Sequence, residues 1–384
     1  MLNWKHRLST SMVLFTLLGL TAADFTFAKT QREYTEPSPR IDIVIALDVS
    51  GSMSGLIASA KQRLWDIVNL LGRAQPQPEL RIAIMSYGNP EYGADSGYVR
   101  IDLPFTRDLD AVNQTLFSFG TNGGDEYVAR VVDTAVNQLA WNTQQDSLRI
   151  LFVAGNEAAT QDPQISLHQA TEMANASGIV VNTIYCGDDN DNLAAAWRDV
   201  AAMTNGLYAS IDQHSAAVAN VTTPMDHELT QLNEALNGTY VAYGTMGAIS
   251  RENQINQDMN ARAMSSAAAA SRVVTKAGVL YHASTWDLVD AVESGTEIAA
   301  IEVADLPEEM QSMNVEEREE FVAVQAQKRE ALQAEIQALG KSRRAFIENE
   351  RKKRAADAPK GLDEVIQEGL KSLAEEKGFT FEEE

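Results

Sequence analysis

Residues 41–53, IDIVIALDVSGSM, decide the reading of this chain. The first seven form a nearly continuous apolar run, rich in β-branched side chains and interrupted by one Asp. Such a run is the mark of a strand covered on both faces. It ends in Asp48-Val49-Ser50-Gly51-Ser52-Met53, where side-chain oxygens crowd a short turn. Over residues 56–71 the apolar positions then recur at helical spacing, with Leu56, Ala60, Leu64, Ile67, Val68 and Leu71 on one face. Buried strand, polar turn and amphipathic helix together open a βαβ unit.

The same alternation continues outward to about residue 212. Strands are expected at 81–85, 98–103 (at a sheet edge), 148–154, 179–186 and 207–211. Helices are expected at 109–117, 127–139, 165–176 and 193–203. Apolar strands alternating with helices predict a doubly wound, mostly parallel α/β sheet, because right-handed crossovers place helices on both faces. Ligands of such sheets bind at the carboxyl ends of the strands, where Asp48 lies. From residue 224 the strand pattern stops. Helices are expected at 225–236, 254–277, 286–292 and 315–354, the last long, charged and striped by Phe321, Val324, Leu332, Ile336, Leu339, Phe346 and Ile347. That helix reads as a packing or coiled-coil assembly element. Residues 284–289, STWDLV, read as an N-capped helix start. After a short linker, residues 362–384 read as an acidic helical tail whose FTFEEE end frays.

The motif Asp48-x-Ser50-x-Ser52, ending an apolar strand and opening a helix, resembles that of the von Willebrand factor A domain family. The resemblance covers about residues 40–212. It implies a metal-ion-dependent adhesion site, holding Mg²⁺ or Mn²⁺ through Asp48, Ser50 and Ser52, with an acidic side chain of a partner protein completing the shell. The chemistry is independently sensible. One carboxylate and two hydroxyls converging from a turn that Gly51 permits are hard oxygen donors, which suit such cations. The family's second contribution falls in Gly120-Thr121-Asn122-Gly123-Gly124-Asp125-Glu126. Thr121 matches one form of it and Asp125 another; the Gly pair before an immediate helix favours Asp125. At the third position the family has Asp, whereas this chain has Asn156, followed by Glu157. An amide oxygen brings no charge, so a weakened cation site is expected.

Charge and composition narrow the partners. With 31 Lys and Arg against 54 Asp and Glu, the net charge is −23. A surface this acidic repels phosphate backbones and anionic lipid, and leaves cations and basic protein patches as candidates. One cysteine, Cys186, excludes a disulfide framework, and its place at the end of an apolar strand reads as a small buried residue. His168 has no visible acid partner and reads as structural. The loop at 187–192 adds three carboxylates at the Asp48 end of the sheet and reads as a solvated capping loop. Lys5 and Arg7, the apolar residues 12–23 and Thr26-Phe27-Ala28 predict a signal peptide over residues 1–28, hence a secreted, periplasmic protein without a stable membrane span. No nucleophile elbow, zincin helix or P-loop occurs, so no enzyme is expected. The expected function is a non-enzymatic binding module of the cell envelope. A metal-independent scaffold acting through its C-terminal helices is the alternative.

Overall fold

The computed structural model describes residues 39–51, 53–210, 221–353 and 362–381. The expectations for the leader, Ser52 and the last three residues lie outside these. Residues Ser38–Glu384 form one unit. Its centre is a six-stranded sheet of β1 (Arg40–Asp48), β3 (Glu79–Tyr87), β4 (Val99–Thr106), β5 (Leu148–Gly155), β6 (Ile179–Tyr185) and β7 (Tyr208–Ser210). The order is β4-β3-β1-β5-β6-β7. All neighbours are parallel except β3 and β4, so β4 is the antiparallel edge. The Asp inside the first strand, Asp42, is buried and closes a bidentate pair with Arg81 on β3 at 2.8 and 2.6 Å.

Side chains leave the strands alternately, and each set meets its own helices. Ile41, Ile43, Ile45 and Leu47 join the core formed with α1 (Ser54–Leu71) and α2 (Leu109–Ser118). Val44, Ala46, Leu151 and Val153 face α3 (Val128–Gln138), α4 (Leu167–Ala176) and α5 (Ala194–Met203). The doubly wound α/β architecture is therefore present.

The later residues form α6 (Asp226–Asn237), α7 (Gly247–Met264), α8 (Ser266–Lys276), α9 (Leu288–Glu293), α10 (Glu308–Gln311), α11 (Val315–Lys353) and α12 (Leu362–Glu376). Leu229, Leu236, Val273, Val274 and Leu280 continue the core of α1 outward, so the helical region is a third layer on that face. Three expectations change here. The helix read at 254–277 is two, because Ser265 turns extended (φ −171°, ψ 162°) and caps α8 by accepting from the Ala268 amide at 3.0 Å. The helix read from 286 starts at Leu288 and is capped by Asp287, whose carboxylate also accepts from the Val241 amide. The segment read as a tail is packed: Ile366, Leu370, Leu373 and Ala374 enter the main core. Just beyond it, β8 (Thr380–Phe381) pairs antiparallel with β2 (Ala74–Gln75).

The long helix α11 is fixed by buried arginines rather than by a continuous stripe. Arg329 reaches Asp287 at 2.6 Å and Arg343 reaches Asp226 at 2.8 Å, while Val324 stays 43% exposed. Among the described residues no helix is long and apolar enough to cross a membrane.

Candidate functional site

The carboxyl end of β1 delivers Asp48 into a crevice between the ends of β3 and β5. Asp48 is fully buried, and its Oδ1 accepts from the Ser50 amide at 2.7 Å, which folds the turn back over the strand end. Two glycines make room for the carboxylate. Gly88, after β3, has φ +80°, and a Cβ there would lie 2.8 Å from Asp48 Oδ1 and 3.0 Å from Glu126 Cγ. At Gly155 a Cβ would collide with the Tyr87 hydroxyl and come 3.3 Å from Asp48 Oδ2. By contrast a Cβ on Gly51 would meet nothing within 4 Å, so the close approach is at Gly88 and Gly155, not within the motif.

The loop before α3 is tied to the motif by the Asn122 amide, which donates to the Val49 carbonyl at 2.9 Å. The turn this imposes points Glu126 inward and leaves Thr121 and Asp125 at the surface. Glu126, buried against Gly88 with Asp48, is therefore the carboxylate that the structure brings to the motif, one residue beyond the one the sequence favoured. Nothing in the sequence distinguishes the two adjacent acids; only the turn does. Asn156 is half-buried just after β5, and Glu157 is exposed beside it.

The site is electrostatically unsettled. Burial pushes the Asp48 carboxyl up to about 6, with the negative charge of Glu157 adding to the effect. Burial, then the facing charge of Asp48, pushes Glu126 up to about 8. Asp48 Oδ2, Ser50 Oγ and Glu126 Oε2 are buried and have no hydrogen-bond partner beyond these three residues. A buried oxygen left unpaired costs free energy unless something meets it. Two carboxylates and a hydroxyl are hard donors of the kind a divalent cation takes. The residues thus fit a cation by donor chemistry, although among the described residues no group of three or more His, Cys, Asp and Glu gathers around one point.

The other candidates are accounted for. In the loop after β6, Asp188 accepts from the Asn190 amide, Asp191 from the Leu193 amide, and Asp189 pairs with Arg198. Those carboxylates shape the turn into α5. Cys186 is buried and its thiol is pushed up to about 12 by burial, so it is a poor nucleophile. His168 has an acid partner after all, Glu172 one turn along α4 at 3.3 Å.

Residues 42–224 match the von Willebrand factor type A domain. Solved structures similar to the chain include proximal thread matrix protein 1 from the mussel byssus with a zinc-occupied MIDAS motif. It is 11% identical with a TM-score of 0.37, covering 46% of this chain and 43% of that one. The pilus adhesin SpaC from Lactobacillus rhamnosus GG, in an open conformation, is 17% identical with a TM-score of 0.37, over 47% of this chain and 29% of SpaC. The SpRpn10 VWA domain is 12% identical with a TM-score of 0.33, over 44% and 87%. The chain spans less than half the length of the mussel protein. No curated protein matches the chain. Over residues 42–224 the chain is thus similar to a kind of module that generally mediates protein–protein binding, sometimes through a metal site.

Proposed function

We propose that the von Willebrand factor type A domain of this chain holds a divalent cation on Asp48, Ser50 and Glu126, and through it binds a protein partner in the cell envelope. Ser52 and Asn156 are the further donors, Thr121 the backup, and Mg²⁺ or Mn²⁺ the expected ion. The observation that carries this reading is the trio of buried oxygens on Asp48, Ser50 and Glu126, which have only one another for partners. When bound, the cation would supply a positive centre with an open position for a partner's oxygen. The chain's own part is to hold the carboxylates together against their repulsion. Gly88 and Gly155 bring the walls close, and the bond from the Asn122 amide to the Val49 carbonyl fixes the loop that carries Glu126. Glu126 also supplies the charge that Asn156 lacks, which offsets the weakening expected from that residue.

Titration calorimetry with Mg²⁺ and Mn²⁺ on the full chain tests this. Saturable binding to the parent protein and none to Asp48→Ala is expected; equal binding by both would sink the proposal. The scaffold alternative draws on the helical layer, which is buttressed by buried ion pairs. It predicts partner capture by the intact chain that a chelator leaves unchanged. An isolated helical fragment is unsuitable, since its core is continuous with that of α1.

A further inference from the structure

The tightest cluster of reactive groups outside the sheet lies where α6, α7 and α8 meet. Lys276 is 1% exposed, and its Nζ donates to Asn233 Oδ1 at 2.9 Å, to Asn237 Oδ1 in a still shorter contact, and to Asp258 Oδ2 at 2.9 Å. That same Asp258 oxygen accepts from the side-chain amides of Asn233 and Asn237, each at 2.8 Å. Tyr240 covers the amine, its ring centre 5.8 Å from Nζ. An amine and a bridging carboxylate removed from water, with a partly buried carboxamide against both, are the parts of an amide-exchange reaction.

We infer that Lys276 forms an intramolecular isopeptide bond with Asn237, with Asp258 as the proton carrier. The neutral amine attacks Cγ of Asn237. The Nζ–Cγ bond forms, the Cγ–Nδ2 bond breaks, and Nδ2 leaves as ammonia. The proton that Nζ gives up passes through Asp258 Oδ2, which touches both the entering and the leaving nitrogen, and is delivered to Nδ2. No oxidant, cofactor or water is consumed. Held nucleophile and electrophile replace a bimolecular encounter, which is how a sluggish amide becomes reactive. Asn237 is chosen over Asn233 because it is only partly buried, which gives the released ammonia a way out; the buried Asn233 instead holds the amine and Asp258 in register. Burial pushes the Lys276 amine down to about 8, so a neutral fraction exists near neutral pH. Arg272, paired with Asp258 at 2.7 Å, keeps the carboxylate ionised and able to accept the first proton. The product would bolt α6 covalently to α8.

Mass spectrometry of the purified full chain decides the matter. The bond removes ammonia, a loss of about 17 Da, and trypsin then fails to cut after the acylated Lys276. The expected digest joins the peptide containing Asn237 to the one containing Lys276. In Lys276→Met the loss is absent, and in Asn237→Ala it is absent too. Recovery of Val273–Lys276 as a separate tryptic peptide from the parent protein overturns the inference, whether or not either variant folds. So does a loss that persists in Asn237→Ala.

Discussion

Two buried carboxylate clusters sit in this molecule, and they have opposite electrostatic fates. Under the helical layer, Asp258 and Asp110 share the Arg272 guanidinium at 2.7 and 2.8 Å, and Tyr281 donates to Asp110 at 2.6 Å. Burial alone would raise Asp258, but Arg272 and Lys276 hold its carboxyl well below the usual range. At the sheet end, Asp48 and Glu126 have no cation of the described residues against them, and both are raised. The same residue types, equally removed from water, are stapled in one place and left open in the other. A cluster whose charges are matched within the chain needs no outside cation; one whose charges are not is where a cation belongs.

The largest effect should come from breaking the closed cluster. Arg272→Met would leave Asp110 and Asp258 buried without their shared partner, and would also remove the guanidinium stacked 4.8 Å from the Trp65 ring centre. A loss of about 3–5 kcal/mol is expected in urea unfolding; a loss under about 1 kcal/mol would show that the cluster contributes little to stability.

Next comes the identity of the second carboxylate. Glu126→Gln should weaken Mg²⁺ binding at least about tenfold, roughly 1.4 kcal/mol, while Asp125→Asn should leave it nearly unchanged. The reverse order in calorimetry would return the role to Asp125.

The smallest effect sharpens the contrast through pH, followed by thermal melting in chelator. Asp258 has a folded pKa below its unfolded one, so its contribution is full above the ordinary carboxylate range and is lost as pH falls below about 4. Asp48 and Glu126 are raised, so the folded state binds more protons than the unfolded between about 4 and 8, and stability falls as pH rises through that window. Asp48→Asn should flatten that fall and stabilise the cation-free protein by about 1 kcal/mol at pH 8. A variant that melts lower than the parent at pH 8 would mean that the site is not strained.

The sheet was legible because nearly continuous apolar runs and strand-to-helix turns leave strong local marks. Asp48 and Ser50 were legible as a motif at a strand's carboxyl end. Glu126 was not, since two neighbouring acids differ only in which way a turn against Gly88 faces them. Ser265 was missed because a serine before an alanine run carries no breaker signal, yet its hydroxyl competes for the Ala268 amide. Arg272, Asp258 and Arg329 lie in helical stretches where nothing marks them out. Their burial depends on partners from distant helices, and no local pattern encodes that.

The return of the chain's last described residues has a consequence for how the protein is made. Thr380 bonds the Gln75 carbonyl across 305 positions, and α12 fills the core beside α1. The sheet's own covering is therefore incomplete until residues 362–381 have been synthesised. Such long-range closure slows folding and makes it wait for that segment. The layer over α1 therefore cannot close before residues 362–381 have emerged.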